Sequence, residues 1–497
     1  MASIADTNVH RARAAYSAGD RAAALAFARD ALAAEPDNVG ARHVLAVMAG
    51  QAGDHDEAAR VLDGATEPRL LSMRVRALEA AGRYAEAIAA ARAAAEDGDP
   101  AERFGLLSLL LRYGRNEEGL AVADTLLALD LLDPQRASIL KQRGHALRAL
   151  GREAEAASAY RDALARAPGT ADNWWALADL GAGFDDEELD AIRALAENDR
   201  LTPGQRAPAA FALARTLEGG DPTGDAARYH AANALVDAPF EPKRFAGSID
   251  RLTAAFTSDV LAERALPMPG PLPVFIVGLP YSGQSLLRRI LASHPDIEIL
   301  PNMPLLATVK QRAQLLCARM LGQDYLDGIG GLDANTLAEL GTRYLEQSAP
   351  FRPEGRPHFV DLLPANFEHI GVIHKILPGA RLMDLRRDPV DCAWALYRQY
   401  FASGTGFAYD LAHIGHYRHG YARLMDHWDA VMPSRVHRVV LEDLADAPEA
   451  TMRALLDHIG VAFDPACLDF DAPAVGAARR SGVDVAPMLE ALDGASR

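Results

Sequence analysis

A glycine followed by a charged residue recurs just before Ala-rich text, at Gly19-Asp20, Gly53-Asp54, Gly82-Arg83, Gly114-Arg115 and Gly151-Arg152. The intervals are 34, 29, 32 and 37 residues. A period near 33 is the length of one helix–turn–helix unit, which is too small to bury its own apolar face, so neighbouring units must stack. GDRAAALAFARDALAAEPDN and GREAEAASAYRDALARAPGTADNWWAL carry the pattern in full. Glycine stands in the turn, alanines let helices approach closely, and Pro36 or Pro168 closes the second helix. An irregular helical bundle is the alternative. The spacing favours a helical array over roughly residues 8–180.

Composition narrows the rest. A chain of 497 residues holds two or three domains, and 49% apolar with only 6% aromatic residues suits Ala/Leu-rich helices better than β-sandwiches. The net charge of −17 argues against a general nucleic-acid surface, although it is compatible with a local basic pocket for a phosphate. Cys317, Cys392 and Cys467 form no CxxC pattern. That speaks against structural zinc and disulfides and suits a reducing compartment. MASIADTNVHRARA has no apolar signal region, and no apolar run approaches the ~18 residues of a membrane span. The expectation is a cytoplasmic protein without a membrane span.

Residues 181–270 continue as helical text without the period (DDEELDAIRALAEN, GQRAPAAFALARTLEGGD, KRFAGSIDRLTAAFTSDVLAERAL), and LPMPGPLP at 266–273 marks a boundary. The expected divisions are 1–180, 181–270 and 271–497. Beyond the boundary, strands alternate with helices. HFVDLL, ARLMDLRRDP and VHRVVLEDL read as strands; FEHIGVIHKILPG, VDCAWALYRQYF, YDLAHIGHYRHGYARLMDHWDAVM and PEATMRALLDHIG read as helices. This alternation predicts a parallel sheet covered on both faces. The first strand, Val274-Phe275-Ile276-Val277, runs through Gly278 into a Pro-x-Ser-Gly-x-Ser turn and a helix starting near Ser285. Backbone N–H groups and the positive helix end converge there, making an anion site. No Lys follows Gly283, so this is not the GxxxxGK[ST] phosphate loop.

The turn resembles the 5′-phosphosulfate loop of sulfotransferases, usually Pro-Arg-Ser-Gly-Thr-Ser/Thr or its Lys version, with Tyr281 standing where that family has its cation. RLMDLRRDPVDCAWALYRQYF resembles the same family's 3′-phosphate segment, with Arg387 before Asp-Pro and Ala395 in place of the usual Ser. LASHPDIEILPNMPLL aligns where tyrosylprotein-type relatives read Gly-Glu-Leu/Ile, so Asn302 occupies the position of the proposed base. VDLLPANF keeps Asp361, Pro364 and Asn366 while Leu362 replaces a Lys. YARLMDHW, VLEDLADAPE and FDPACLDF also look like this family, and the N-terminal period is near that of tetratricopeptide repeats. The resemblance implies a tetratricopeptide solenoid followed by an α/β, P-loop-like parallel-sheet sulfotransferase domain. It implies 3′-phosphoadenosine-5′-phosphosulfate, or its product, as the nucleotide.

Ser282, Gly283, Gln284 and Ser285 would then cradle the 5′-phosphate. Arg387 would grip the 3′-phosphate or, alternatively, pair with Asp388 or Asp391. Cations are missing at Tyr281 and Leu362, and Asn302 accepts no proton at neutral pH. After the Phe-Asp-x-Ala-Cys phrase, AVGAARRSGVDVAPMLEAL joins almost directly to the family's final motif, with Gly476 and Ala478 matching its Gly and Trp. The nucleotide is therefore expected to be less covered, with Arg479 and Arg480 as partial compensation, and to bind weakly or not at all.

Two other constellations carry less. His413, His416 and His419 recur every three residues, a spacing that suits a solvated or partner-facing helix stripe better than a metal pair, and no metal is expected. GLPYSGQ is not a hydrolase elbow, because Pro280 stands where GxSxG needs a glycine. The favoured function is a sulfotransferase-family protein that is catalytically impaired or repurposed as a scaffold, with a protein or peptide partner on the repeats and homo- or hetero-oligomers allowed. The alternative is an active sulfotransferase acting on a hydroxyl of a peptide or glycan; a different transfer on the same scaffold is a third.

Overall fold

The computed structural model describes residues 3–96, 99–219, 221–401, 404–473, 475–480, 486 and 489–490. Its contacts define two compact units. One comprises 1–129 with 304–328 and 343–350; the other comprises 130–303, 329–342 and 351–497.

The first unit is built from helix pairs: Ile4–Ser17 with Arg21–Ala34, Val39–Gln51 with His55–Val61, Pro68–Ala80 with Tyr84–Glu96, and Pro100–Arg112 with Asn116–Leu127. Their turn glycines, Gly19, Gly53, Gly82 and Gly114, have φ of 82°, 74°, 73° and 72°. An L side chain is strained there, which is why the period is written in glycine. The charged residue that follows has its own role. Asp20 and Asp54 cap the next helix, accepting the N–H of Ala23 at 2.9 Å and of Glu57 at 3.2 Å. Arg83 and Arg115 instead pair with the glutamates three residues on, Glu86 and Glu118. Both devices suit a helix start, the first by satisfying an orphan donor and the second by holding a carboxylate in the first turn. Ala12 and Ala28 are fully buried against Val44 and Leu45, so alanine sets the interhelical spacing. The segments 304–328 and 343–350 return to this unit through Arg319 on Asp54 (2.6 Å) and Arg343 on Asp56 (2.9 Å).

The second unit opens with one more pair, Asp133–Ala149 and Glu153–Arg166, turned at Gly151 (φ 73°). Helices Ala171–Asp179, Asp186–Ala196, Pro203–Thr216, Pro222–Asn233, Pro242–Ala255 and Ser258–Ala262 lead to the sheet. The text KRFAGSIDRLTAAFTSDVLAERAL is not one helix: it breaks at Phe256, and Thr257 caps a new start. Five parallel strands follow: β1 Leu272–Gly278, β2 Ile297–Ile299, β3 His358–Asp361, β4 Arg381–Arg386 and β5 Val436–Val440, in the order β2-β3-β1-β4-β5. VHRVVLEDL is a strand only to Val440. Leu441–Asp446 turns helical, which buries Leu441 and Leu444 in the core cluster.

Central β1 is buried on both faces, with Val274, Phe275 and Ile276 at 0% exposure, as a strand covered by helices on each side requires. Chain order reverses around β1, so the crevice beyond the carboxyl ends of β1 and β4 is the site such a sheet offers a ligand. The helical bridge is fastened to the α/β domain by Lys375, on the helix Ile370–Ile376 between β3 and β4. This lysine is fully buried and donates to the carbonyls of Val260 (2.6 Å) and Glu263 (2.7 Å).

Candidate functional site: the loop after the first strand

Gly278 ends β1 opposite Leu385 of β4. A Cβ there would lie 2.4 Å from the Leu385 carbonyl oxygen, so only glycine lets the chain leave the sheet at this point. The loop then folds on one acceptor. The carbonyl of Leu279 takes the Ser282 N–H (3.2 Å), the Ser282 hydroxyl (2.8 Å) and the Gln284 side-chain amide (2.7 Å). These two side chains therefore build the loop from inside. Ser282 is 1% exposed, so a ligand would meet the loop's backbone rather than that hydroxyl.

Gly283 has φ 110°, and the helix Gln284–Ala292 begins at the next residue. The first internal bond belongs to the Leu287 N–H, on the Gly283 carbonyl. Among the described residues, the N–H groups of Gly283, Gln284, Ser285 and Leu286 have no protein acceptor. Unpaired donors at a helix start are what an anionic oxygen satisfies. The phosphate fits here.

Tyr281 does not take the part of a cation. Its backbone is left-handed at φ 67°, a conformation costing a bulky residue roughly 1–2 kcal/mol. Its carbonyl receives Arg387 Nη1 at 3.1 Å, while its ring packs edge-on against Phe401 at 6.0 Å. Burial is the main reason its phenol is held above the ordinary tyrosine range, and Asp179 adds to this against Arg215, Arg148 and Arg398. Tyr281 is thus neutral at physiological pH. Those three arginines are themselves paired: Arg148 and Arg215 with Asp179, and Arg398 with Glu218. Arg215 lies 5.8 Å from the Trp175 ring centre, and Tyr229 donates to Glu218 at 2.8 Å.

Arg387 bridges the loop to the next helix. Besides the Tyr281 carbonyl, it lies 3.5 Å from Asp391, which lies on the helix Pro389–Tyr397 and accepts the N–H groups of Ala477 (3.1 Å) and Ala478 (2.8 Å). These two bonds hold the start of the short helix Ala477–Arg480, and Arg479 reaches Asp388 at 3.4 Å. The side chain of Arg480 lies outside the described residues. Ala395 is half-buried two turns along the same helix. Cys392 faces the loop, 3.6 Å from the Ser282 hydroxyl and 3.8 Å from the Tyr281 carbonyl; burial pushes its thiol up to about 11, so it is no thiolate at neutral pH.

Leu362 is 3% exposed and belongs to the apolar core with Val360 and Leu385. Asn302 accepts Arg288 Nη2 at 2.6 Å, and Arg288 Nη1 donates to the Leu300 carbonyl at 2.8 Å. Asp361 is buried, accepting the Asn366 amide and the Leu363 N–H at 3.1 Å each. Arg288 is therefore a cation at this end of the sheet that the motif reading passed over. Burial holds its guanidinium below the ordinary range, with nearby Asp361 working the other way. It lies four residues after Gln284, hence on the same helix face, and that spacing was readable.

The structure gathers Ser282, Gly283, Gln284, Ser285, Arg387 and Tyr281 around one turn, with Asn302 and Leu362 at the ends of neighbouring strands. His413 instead packs against Phe240 at 5.3 Å. Among the described residues, no group of three His, Cys, Asp or Glu side chains could hold a metal, and no helix is long and apolar enough to cross a membrane.

Residues 273–465 match the model of the sulfotransferase family, and residues 137–170 that of the tetratricopeptide repeat. An uncharacterised protein of Aquifex aeolicus (strain VF5) is 27% identical over 385 residues, which is 76% of this chain and 50% of the relative, so the chain spans half of that protein's length. A sulfotransferase domain from the curacin biosynthetic pathway is 19% identical, covering 44% of this chain and 83% of its own, at a TM-score of 0.28. A tetratricopeptide repeat protein from Parabacteroides merdae is 13% identical, covering 47% of this chain and 90% of its own, at a TM-score of 0.33.

Proposed function

With a sulfotransferase-family domain at residues 273–465 and tetratricopeptide-type repeats before it, we propose that the α/β domain keeps a weak site for the phosphate of an adenosine phosphosulfate-type nucleotide and is impaired in sulfuryl transfer. The repeats of 1–180, the bridge of 181–270 and the domain of 271–497 then act as a scaffold that presents a partner-binding surface. The observation that carries this reading is the split between backbone and side chains at the loop. Four N–H groups stay available to an anion, while Tyr281 is neutral and turned against Phe401.

Sulfuryl transfer needs cations on the bridging oxygen and a base for the acceptor hydroxyl. Leu362 offers no charge, and Asn302 spends its side-chain oxygen on Arg288. Losing one preorganised donor costs roughly 10²–10³ in rate, and two such losses need not add. The bound nucleotide would bring the activated sulfuryl group; this chain's residues would hold its phosphate and leave the acceptor proton without a taker.

One observation favours the second reading, an active transferase on a hydroxyl of a peptide or glycan. Arg288 stands close to Asp361 at the same end of the sheet and supplies a charge that the motif positions lack. Incubation with radiolabelled sulfate donor and a pool of hydroxyl-bearing peptides and glycans separates the two. The impaired reading expects no transfer above a heat-denatured control. Robust transfer that Arg288→Ala abolishes would establish the active enzyme instead.

A further inference from the structure

A chamber of about 710 Å³ opens between the bridge and the loops beyond the sheet, within the same compact unit. That volume suits a small-molecule ligand. Rings are 6% of the chain, yet seven of the eighteen lining residues are Phe or Tyr, so composition alone does not account for the wall. Tyr417 is stacked between Phe245 (4.9 Å, 21°) and Phe407 (3.7 Å, 3°), and Phe240 packs on all three at 5.7–6.4 Å. Phe401 is fixed by Tyr409, whose hydroxyl accepts the Phe401 N–H at 2.8 Å and donates to its carbonyl at 2.9 Å. The two walls approach closely at Gly406, where a Cβ would meet the Pro239 carbonyl oxygen at 2.8 Å.

The charge of the wall is one-sided. Among the described residues no lysine, arginine or histidine lines it, whereas Asp237 and Glu368 do. Asp237 is exposed and has no hydrogen-bond or ion-pair partner among the described residues. Such a wall repels a phosphate or sulfate and suits the opposite charge. Aromatic rings attract a cation through their quadrupole, most strongly when it has shed its water, and a nearby carboxylate adds to the attraction.

We propose that this chamber binds an organic cation of the ammonium class, a quaternary or substituted amine held by Phe240, Tyr400 and Phe401 with Asp237 and Glu368 as counter-charges. The site is separate from the anion-binding loop. Among the described residues, Phe401 packs on Tyr281 of that loop at 6.0 Å, and the proposal does not rest on the nucleotide being bound.

The test compares choline with its uncharged carbon isostere, 3,3-dimethylbutan-1-ol, by calorimetric titration of the full chain. The two have nearly the same shape and differ in charge. Choline is expected to bind at least about tenfold more tightly than the alcohol, the ratio expected when desolvated cation–π contacts and a carboxylate act together. Asp237→Asn, at an exposed position that packing does not need, is expected to weaken choline several-fold and leave the alcohol unchanged. Phe240→Leu, which keeps the apolar volume, should weaken choline more than the alcohol. Equal binding of the two ligands would overturn the proposal, as would an Asp237→Asn protein that binds choline normally. Absence of saturable choline binding up to about 50 mM would overturn it too.

Discussion

Gly278→Ala is a demanding test of the account of the loop, because its cost can be worked from geometry. Two terms add. Glycine holds φ 151° there, and an L residue in a sparsely populated backbone region pays roughly 1–2 kcal/mol. The new methyl would also lie 2.4 Å from the Leu385 carbonyl oxygen, well inside the 3.0 Å below which real Cβ contacts essentially never fall. The obstacle is backbone in the adjacent central strand, so it has no rotamer to retreat into. β1 and β4 must part by roughly half an ångström or more, a gap that forfeits about a quarter or more of each contact's attraction and weakens the last ladder bond, worth ~1 kcal/mol. The total is about 3 kcal/mol.

Gly151→Ala is the control. Its φ is 73°, and a Cβ there meets nothing within 4 Å, so it should cost only the conformational term of ~1–2 kcal/mol. Both glycines lie in the same compact unit, so urea unfolding followed by tryptophan fluorescence compares them directly. If Gly278→Ala proves no more costly than Gly151→Ala, the close approach of loop and sheet is wrong, and the positions of the free N–H groups are wrong with it.

Three further outcomes are expected. Lys375→Met should lower the stability of the second unit by about 3 kcal/mol, because it removes a buried ammonium that donates to two carbonyls of the bridge; a loss under ~0.5 kcal/mol would show that the bridge is not fastened there. His374 is held at about 4, first by burial and then by Arg435, Arg264 and Lys375, so the unfolded chain takes up its proton between pH 6.5 and about 4 while the folded chain does not. Stability should be insensitive to this group above pH 6.5 and fall as pH drops towards 4, and urea midpoints of His374→Gln should show a shallower acid slope; an unchanged slope would remove His374 from the acid response. Finally, Asp20→Ala should cost about 1 kcal/mol through loss of the cap on Ala23, and Arg83→Ala, an exposed pair, ~0.5 kcal/mol or less; the reverse order in thermal melts would contradict the two roles assigned to the residue after the turn glycine.

What was legible in the sequence was what short-range chemistry writes. The turn glycines were readable because left-handed backbone is a local demand, and a sixth at Gly181 (φ 72°) continues the set. β1 was readable as an apolar run leading to Gly278, and the loop as small residues before a helix. β2 escaped notice because three residues, Ile297–Ile299, show no period. Leu441–Asp446 was misread as strand because VVLEDL is apolar enough for either state, and core packing decided it. Asp179, Arg215, Arg398 and Phe401 stand more than sixty residues from Tyr281, and only tertiary packing brings them to it. Tyr281 as a missing cation was visible from sequence; where its ring would go was not.

The most direct test of the central claim is calorimetric titration of the intact chain with 3′-phosphoadenosine-5′-phosphate, beside the Tyr281→Arg/Ala395→Ser double variant. The account predicts a dissociation constant no tighter than about 100 μM for the unmodified protein, and tightening by about tenfold or more when a cation and a hydroxyl are returned to a loop whose N–H groups are already in place. Binding in the low micromolar range by the unmodified chain, or a double variant that binds no better, would contradict it.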